Sequence, residues 1–99
     1  MSYVTTQPDA LCAAATSLQG IGSGVNAQNA AAEAPTTGVV PAAADEVSAL
    51  TAAQFVAQGQ LYQAVSAQAA AIHEAFVNTL GTSGGSYAAC EAANAIAAC

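Results

Sequence analysis

Alanine outnumbers all the larger aliphatic residues and phenylalanine together: 29 of the 99 residues are Ala, against 18 Leu, Ile, Val and Phe combined. That ratio constrains the fold before any motif is read. Ala is the strongest helix former, so long helices are easily built. Its methyl group removes little area from water, and at about 25 cal/mol per Å² it adds little to a core. A domain of this size already buries only about 60–65% of its unfolded surface. Such a chain makes helices but lacks the side chains to close a core over them, and a partner is expected to complete it. Disorder is the rival reading of sparse large apolar residues. A charged fraction of only 6% and a positive mean hydropathy favour association instead.

Charge excludes several functions. The chain has no Lys or Arg and six Asp or Glu, for a net charge of −6 with His73 neutral. Binding to nucleic-acid backbone needs cations that displace counterions, so a nucleic-acid partner is not expected. A P-loop, an Arg clamp on phosphate and a basic lipid-binding face are excluded for the same reason. Three cysteines, Cys12, Cys90 and Cys99, form no CxxC, and neither a disulfide framework nor a zinc site is expected. Cys12 reads as a small buried hydrophobe, and Cys90 and Cys99 are not expected to pair. Residues 1–9 carry no basic or apolar signal-peptide region. The charge-free stretches 10–32 and 47–73 are studded with Gln, Asn, Ser, Thr and Gly, so neither reads as a transmembrane helix.

Two helices follow from the patterning. Thr6-Gln7-Pro8-Asp9 is a helix start, with Thr6 as N-cap, Pro8 in the first turn and Asp9 near the positive end of the dipole. The first helix is expected over about 7–34. Leu11, Leu18 and Val25 recur every seven residues, with Ala14 and Ile21 between them, which describes a narrow a/d seam. Leu11, Leu18, Ile21 and Val25 are therefore expected to face the second helix. Gly20-Ile-Gly-Ser-Gly24 reads as close packing or a slight bend. Residues 35–41, with two prolines and one glycine, form the connection. The second helix is expected over about 42–80, with Asp45 and Glu46 in its first turn and an end at Gly81. Residues 82–99 then form a tail with a third, shorter helix.

The second helix carries more large apolar residues than one antiparallel neighbour can cover. Phe55, Tyr62, Ala69 and Phe76 form one row at spacing seven, and Leu61, Val65, Ile72 and Phe76 an adjoining one. Phe55, Tyr62, Val65, Ile72 and Phe76 are accordingly expected to dock another protein's helices.

Chemistry is weakly signalled. His73 is the only imidazole, and Glu74 beside it points about 100° away around the helix, so His73 reads as a structural or exposed position. No GxSxG occurs, and no two carboxylates stand three or four residues apart. No catalytic residue, cofactor or metal is expected, and the chain reads as non-enzymatic. Tyr87 and Glu91, at i and i+4, form a phenol-plus-carboxylate patch after a Gly-rich break, which reads as a recognition signal.

The chain resembles the N-terminal domain of the mycobacterial PE proteins over essentially its whole length. The residues that carry the likeness are Ser2-Tyr-Val-Thr-Thr-Gln-Pro-Asp9, Ala34-Pro-Thr-Thr-Gly-Val-Val-Pro-Ala-Ala-Ala-Asp-Glu-Val-Ser48 and Gln63-Ala-Val-Ser-Ala-Gln-Ala-Ala-Ala-Ile-His-Glu74. The family is named for Pro-Glu near the N-terminus, and here Pro8-Asp9 stands in its place; Asp keeps the charge in the first turn. The resemblance implies a single all-α domain, a long antiparallel two-helix hairpin that completes a four-helix bundle with a PPE protein. It implies export of the folded heterodimer by a type VII (ESX) secretion system to the cell envelope or outside. The family's export signal is Tyr-x-x-x-Asp/Glu, which Tyr87 and Glu91 match. A cytosolic chaperone would act through the PPE partner. The alternative is a component of a cell-envelope or outer-membrane solute-transport assembly.

Overall fold

The computed structural model describes residues 4–99, in which two helices, α1 (Pro8–Thr37) and α2 (Glu46–Ala97), are joined by a short loop. No strand occurs among the described residues. Ser2 and Tyr3 of the family-like opening lie outside them.

Helix α1 begins one residue later than the capping pattern suggests. The Gln7 carbonyl accepts from the amides of Ala10 (3.1 Å) and Leu11 (3.3 Å), so Gln7 closes the first turn. Pro8 stands at the first helical position, where a missing N–H leaves no bond unmade. Asp9 lies in the first turn. Thr6 is not the N-cap; its hydroxyl is engaged elsewhere, by Glu91.

Helix α1 also runs past its expected end at residue 34, through Pro35 to Thr37. Pro35 cannot donate to the carbonyl four residues back. The next three donors close the turn. Thr36 Oγ1 donates to the Ala32 carbonyl at 2.6 Å and Thr37 Oγ1 to that of Glu33 at 2.7 Å. The Gly38 amide donates to that of Ala34 at 2.9 Å. Carbonyls at the end of a helix need such partners, and these hydroxyls supply them.

Asp45 caps α2. Its Oδ2 accepts from the Ser48 amide at 3.0 Å, while Ser48 Oγ donates to Oδ1 at 2.6 Å. The side chains exchange the roles usual in a capping box, with the carboxylate at the cap and the hydroxyl three residues on. Helix α2 therefore starts at Glu46, not at 42.

The expected helix end at Gly81 and the separate tail helix are both corrected. Helix α2 is continuous from Glu46 to Ala97. A glycine ends a helix by adopting a left-handed conformation, and among the described residues no glycine has positive φ. Gly84 has a different use. A Cβ built on it would lie 2.8 Å from Cys12 Sγ and 3.4 Å from the Pro8 carbonyl. Its bare backbone lets α1 approach.

The chain packs as two compact units, one formed by the chain up to Gly22 with Ile72–Cys99, the other by Ser23–Ala71. In the first, Ala15 and Gly84 are buried and Leu11, Leu18, Gly22, His73, Val77 and Leu80 half-buried. In the second, Ala52 and Gly59 are buried and Asn29, Ala32, Val56, Gln63, Ser66 and Ala70 half-buried. On both helices these positions alternate at spacings of three and four, the period of a coiled-coil seam. Small residues recur among them, Ala15, Gly22 and Gly84 in the first unit and Ala32, Ala52, Gly59, Ser66 and Ala70 in the second, and there the backbones come close. In the second unit a Cβ on Gly59 would lie 2.6 Å from the Thr36 carbonyl oxygen.

The seam on α1 is turned by one residue from the one expected. Leu11 and Leu18 face α2, but Ala15 and Gly22 stand between and beyond them, not Ala14 and Ile21. One residue is about 100° around a helix. Ile21 is 59% exposed and Val25 51% exposed, so neither packs the hairpin as expected. Side chains of that size do not fit where backbones meet over glycine and alanine.

Candidate partner-binding surface

Among the described residues the only buried apolar residues are two alanines, Ala15 and Ala52. The large apolar side chains are outside. In the Ser23–Ala71 unit, Phe55 is 63% exposed, and Tyr62 and Val65 are exposed as well. In the other unit, Ile72 is 72% and Phe76 55% exposed. All five were singled out from spacing alone, and each lies off the seam of its own unit.

The loop adds an apolar feature. Val39, Val40, Val47, Ala52 and Phe55 are among the residues lining a shallow groove of about 240 Å³. Phe55 is among its lining residues, so the exposed row and the groove share a side chain.

Tyr62 differs from its neighbours in the row. Its hydroxyl donates to Asn29 Oδ1 at 2.7 Å, and Gln63 Nε2 donates to the Asn29 carbonyl at 2.9 Å. The phenol is thus tied to α1 while its ring stays exposed. Asn29 is a polar residue in the seam, and no local pattern hints at its two partners.

Tyr87 and Glu91 stand one turn apart on α2, which places them on one face. Glu91 is half-buried. Its Oε1 accepts from the Thr6 amide at 2.8 Å and from Thr6 Oγ1 at 2.9 Å. These two bonds, the amide first, hold the Glu91 carboxyl below its ordinary value of 4.5. Thr6 is the functional neighbour that sequence reasoning missed. Eighty-five positions separate the partners, and no local pattern joins them.

His73 donates from Nε2 to the Leu18 carbonyl at 2.7 Å, since a carbonyl can only accept. It is a seam residue. Cys12, expected to be buried, is exposed, and all three cysteines are free. Cys90 and Cys99 are separated by about 13 Å of helical rise, too far for a disulfide. Among the described residues no cluster of three His, Cys, Asp or Glu side chains could hold a metal. No described helix is long and apolar enough to cross a membrane.

The comparisons with known proteins agree on one family. The PE family model matches residues 4–94. The chain is 64% identical to the PE family protein PE13 of Mycobacterium tuberculosis over 98 residues, covering 99% of both chains. It is 57% identical to PE8 of the same species, spanning 99% of this chain and 36% of PE8. It is 60% identical to PE_PGRS33, spanning 96% of this chain and 19% of the relative. It thus matches nearly all of one relative and the smaller part of two others. Matched by the family model over residues 4–94 and by a relative at 64% identity across 99% of both chains, the chain belongs to the PE family.

Proposed function

We propose that this chain is the non-enzymatic half of a heterodimer with a PPE protein. The observation that carries the reading is the placement of its apolar side chains. Two buried alanines are no core, and a stable protein interface takes about 800 Å² from each partner, more in obligate pairs. Phe55, Val65, Ile72, Phe76 and the ring of Tyr62 are the anchors the partner's helices would cover, completing a four-helix bundle. Aromatic side chains in the desolvated centre of an interface carry most of its energy. With six carboxylates and no cation of its own, the chain would also receive any ion pairs from the partner's Lys or Arg.

In this reading the folded pair leaves the cell through a type VII (ESX) secretion system and reaches the envelope or the outside. Tyr87 and Glu91 are the export signal, and a chaperone acts through the PPE partner. Co-expression of the tagged chain with PPE proteins tests the pairing. A 1:1 complex that stays together through size exclusion is expected with a cognate PPE protein. Failure to co-purify with any PPE protein of the same species counts against it. For export, Tyr87→Ala and Glu91→Ala should each retain the complex in the cell without dissolving it.

A further inference from the structure

Glu91 meets a residue from the far end of the chain. Thr6 lies just ahead of α1 in non-helical backbone, and it gives both its amide and its hydroxyl to the same carboxylate oxygen, Oε1. Two convergent donors on one oxygen fix where the carboxylate sits, and hydrogen bonds to an ionised acceptor are the stronger kind. Oε2 takes neither of Thr6's donors. Tyr87 is one turn back on the same face and 46% exposed. The arrangement is a phenol and a carboxylate offered together, with the carboxylate's long side chain already held.

We propose that Thr6 is a third member of the recognition patch, a positioning residue that holds the Glu91 carboxylate beside Tyr87 for the secretion machinery. The proposal rests on the reading of Tyr87 and Glu91 as the export signal. Glu has a flexible side chain, and freezing it on binding weakens association; a carboxylate held in advance avoids that loss. The backbone N–H of Thr6 serves whatever its side chain is, so the hydroxyl is the part the sequence specifies. A residue ahead of the hairpin thereby takes part in a signal at its other end in sequence. Only a pair whose N-terminal segment has docked would present the patch in full.

The test is export of the tagged, full-length chain, co-expressed with its PPE partner in a mycobacterial host. Thr6→Val keeps the shape and removes the hydroxyl; Thr6→Ser keeps the hydroxyl. Secretion is expected to fall by about two- to tenfold in Thr6→Val, as loss of one preorganised side chain implies, and to return in Thr6→Ser. The melting temperature of the purified heterodimer should change little in either. Combining Thr6→Val with Glu91→Gln should add nothing to the loss from Glu91→Gln alone. If Glu91→Ala and Tyr87→Ala block export while Thr6→Val exports like the wild type, the signal stands and Thr6 has no part in it. Higher export in Thr6→Val would mean that Thr6 masks Glu91, and would overturn the proposal. If Tyr87→Ala and Glu91→Ala both export normally, the signal reading fails and the role of Thr6 fails with it.

Discussion

Gly22 lies under the imidazole of His73: a methyl group on Gly22 would meet His73 Cδ2 at 2.7 Å. The same ring reaches one turn back along α1 to bond the Leu18 carbonyl at 2.7 Å. The side chain of one helix thus lies across the backbone of the other, and only a bare α-carbon leaves room for it.

Gly22→Ala should therefore destabilise the protein. Alanine gains up to about 1 kcal/mol in helix propensity. Against this, overpacking costs about 1–3 kcal/mol, or the ring swings away and loses its hydrogen bond, worth about 1 kcal/mol. A net loss of about 0–2 kcal/mol is the outcome. Gly20 and Gly24 meet nothing within 4 Å, so Gly20→Ala and Gly24→Ala should each stabilise by about 0.5–1 kcal/mol. Thermal melting of the heterodimer checks the contrast. A Gly22→Ala variant that melts higher than Gly20→Ala contradicts the close approach.

Gly59→Ala should be the most damaging glycine substitution. Its new methyl would meet a carbonyl oxygen of the α1 backbone at 2.6 Å, and backbone cannot rotate aside as a ring can. The expected loss exceeds that of Gly22→Ala and lies at the upper end of the roughly 1–3 kcal/mol for overpacking. Gly81 and Gly85 meet nothing. Gly81→Ala and Gly85→Ala should raise helicity by circular dichroism if α2 is continuous there. A fall would show that the helix ends at Gly81 after all.

The two long helices and their pairing as a hairpin are legible in the sequence, because alanine content and the proline-flanked loop are local signals; the expected third helix is not a separate element but the continuation of α2. The outward row of Phe55, Tyr62 and Phe76 is legible too, as it follows from spacing. The seam is not. Apolar periodicity points to large residues, and here the seam selects for the smallest ones, so Ile21 and Val25 looked inward while Gly22 and Ala15 are the residues that are. Gly81, Gly84 and Gly85 looked like a stop signal for a related reason: a glycine that admits a neighbouring helix and one that ends its own are the same letter. Thr6 and Glu91 could not be joined at all, because nothing local links residues at opposite ends of the chain.

The cap on α2 should be pH-dependent. Ser48, by its hydroxyl and then its amide, holds the Asp45 carboxyl below its ordinary value of 3.8. A group whose pKa is lowered on folding stabilises the fold fully above its unfolded value, and that contribution disappears as pH falls through the folded value. The first turn of α2 should thus loosen as pH falls below about 3.8, read as a lower protection factor at the Ser48 amide, its exchange compared with an unstructured amide at the same pH. Asp45→Asn keeps an acceptor and should remove the pH dependence; Asp45→Ala should lower the melting temperature at neutral pH. A Ser48 protection factor that is the same in Asp45→Ala as in the wild type at pH 7 would refute the cap.

Phe55→Ala and Phe76→Ala should each weaken pairing with the PPE partner by about tenfold or more, as expected of aromatic anchors. Both rings are more than half exposed in the chain itself, so helicity should hold. Affinity by calorimetry and helicity by circular dichroism separate the two effects. Loss of helicity with unchanged affinity would mean that the rings serve the hairpin and not the partner.

In the proposed pairing this chain buries too little apolar surface to stand alone, its only buried hydrophobic residues among those described being Ala15 and Ala52. The most direct measurement is the thermal unfolding and solution size of the purified chain, first by itself and then with an equimolar PPE partner. Self-association or a broad, weakly cooperative transition is expected for the chain alone, and a sharp transition from a 1:1 heterodimer once the partner is added. A monodisperse monomer that unfolds in one steep step would contradict it.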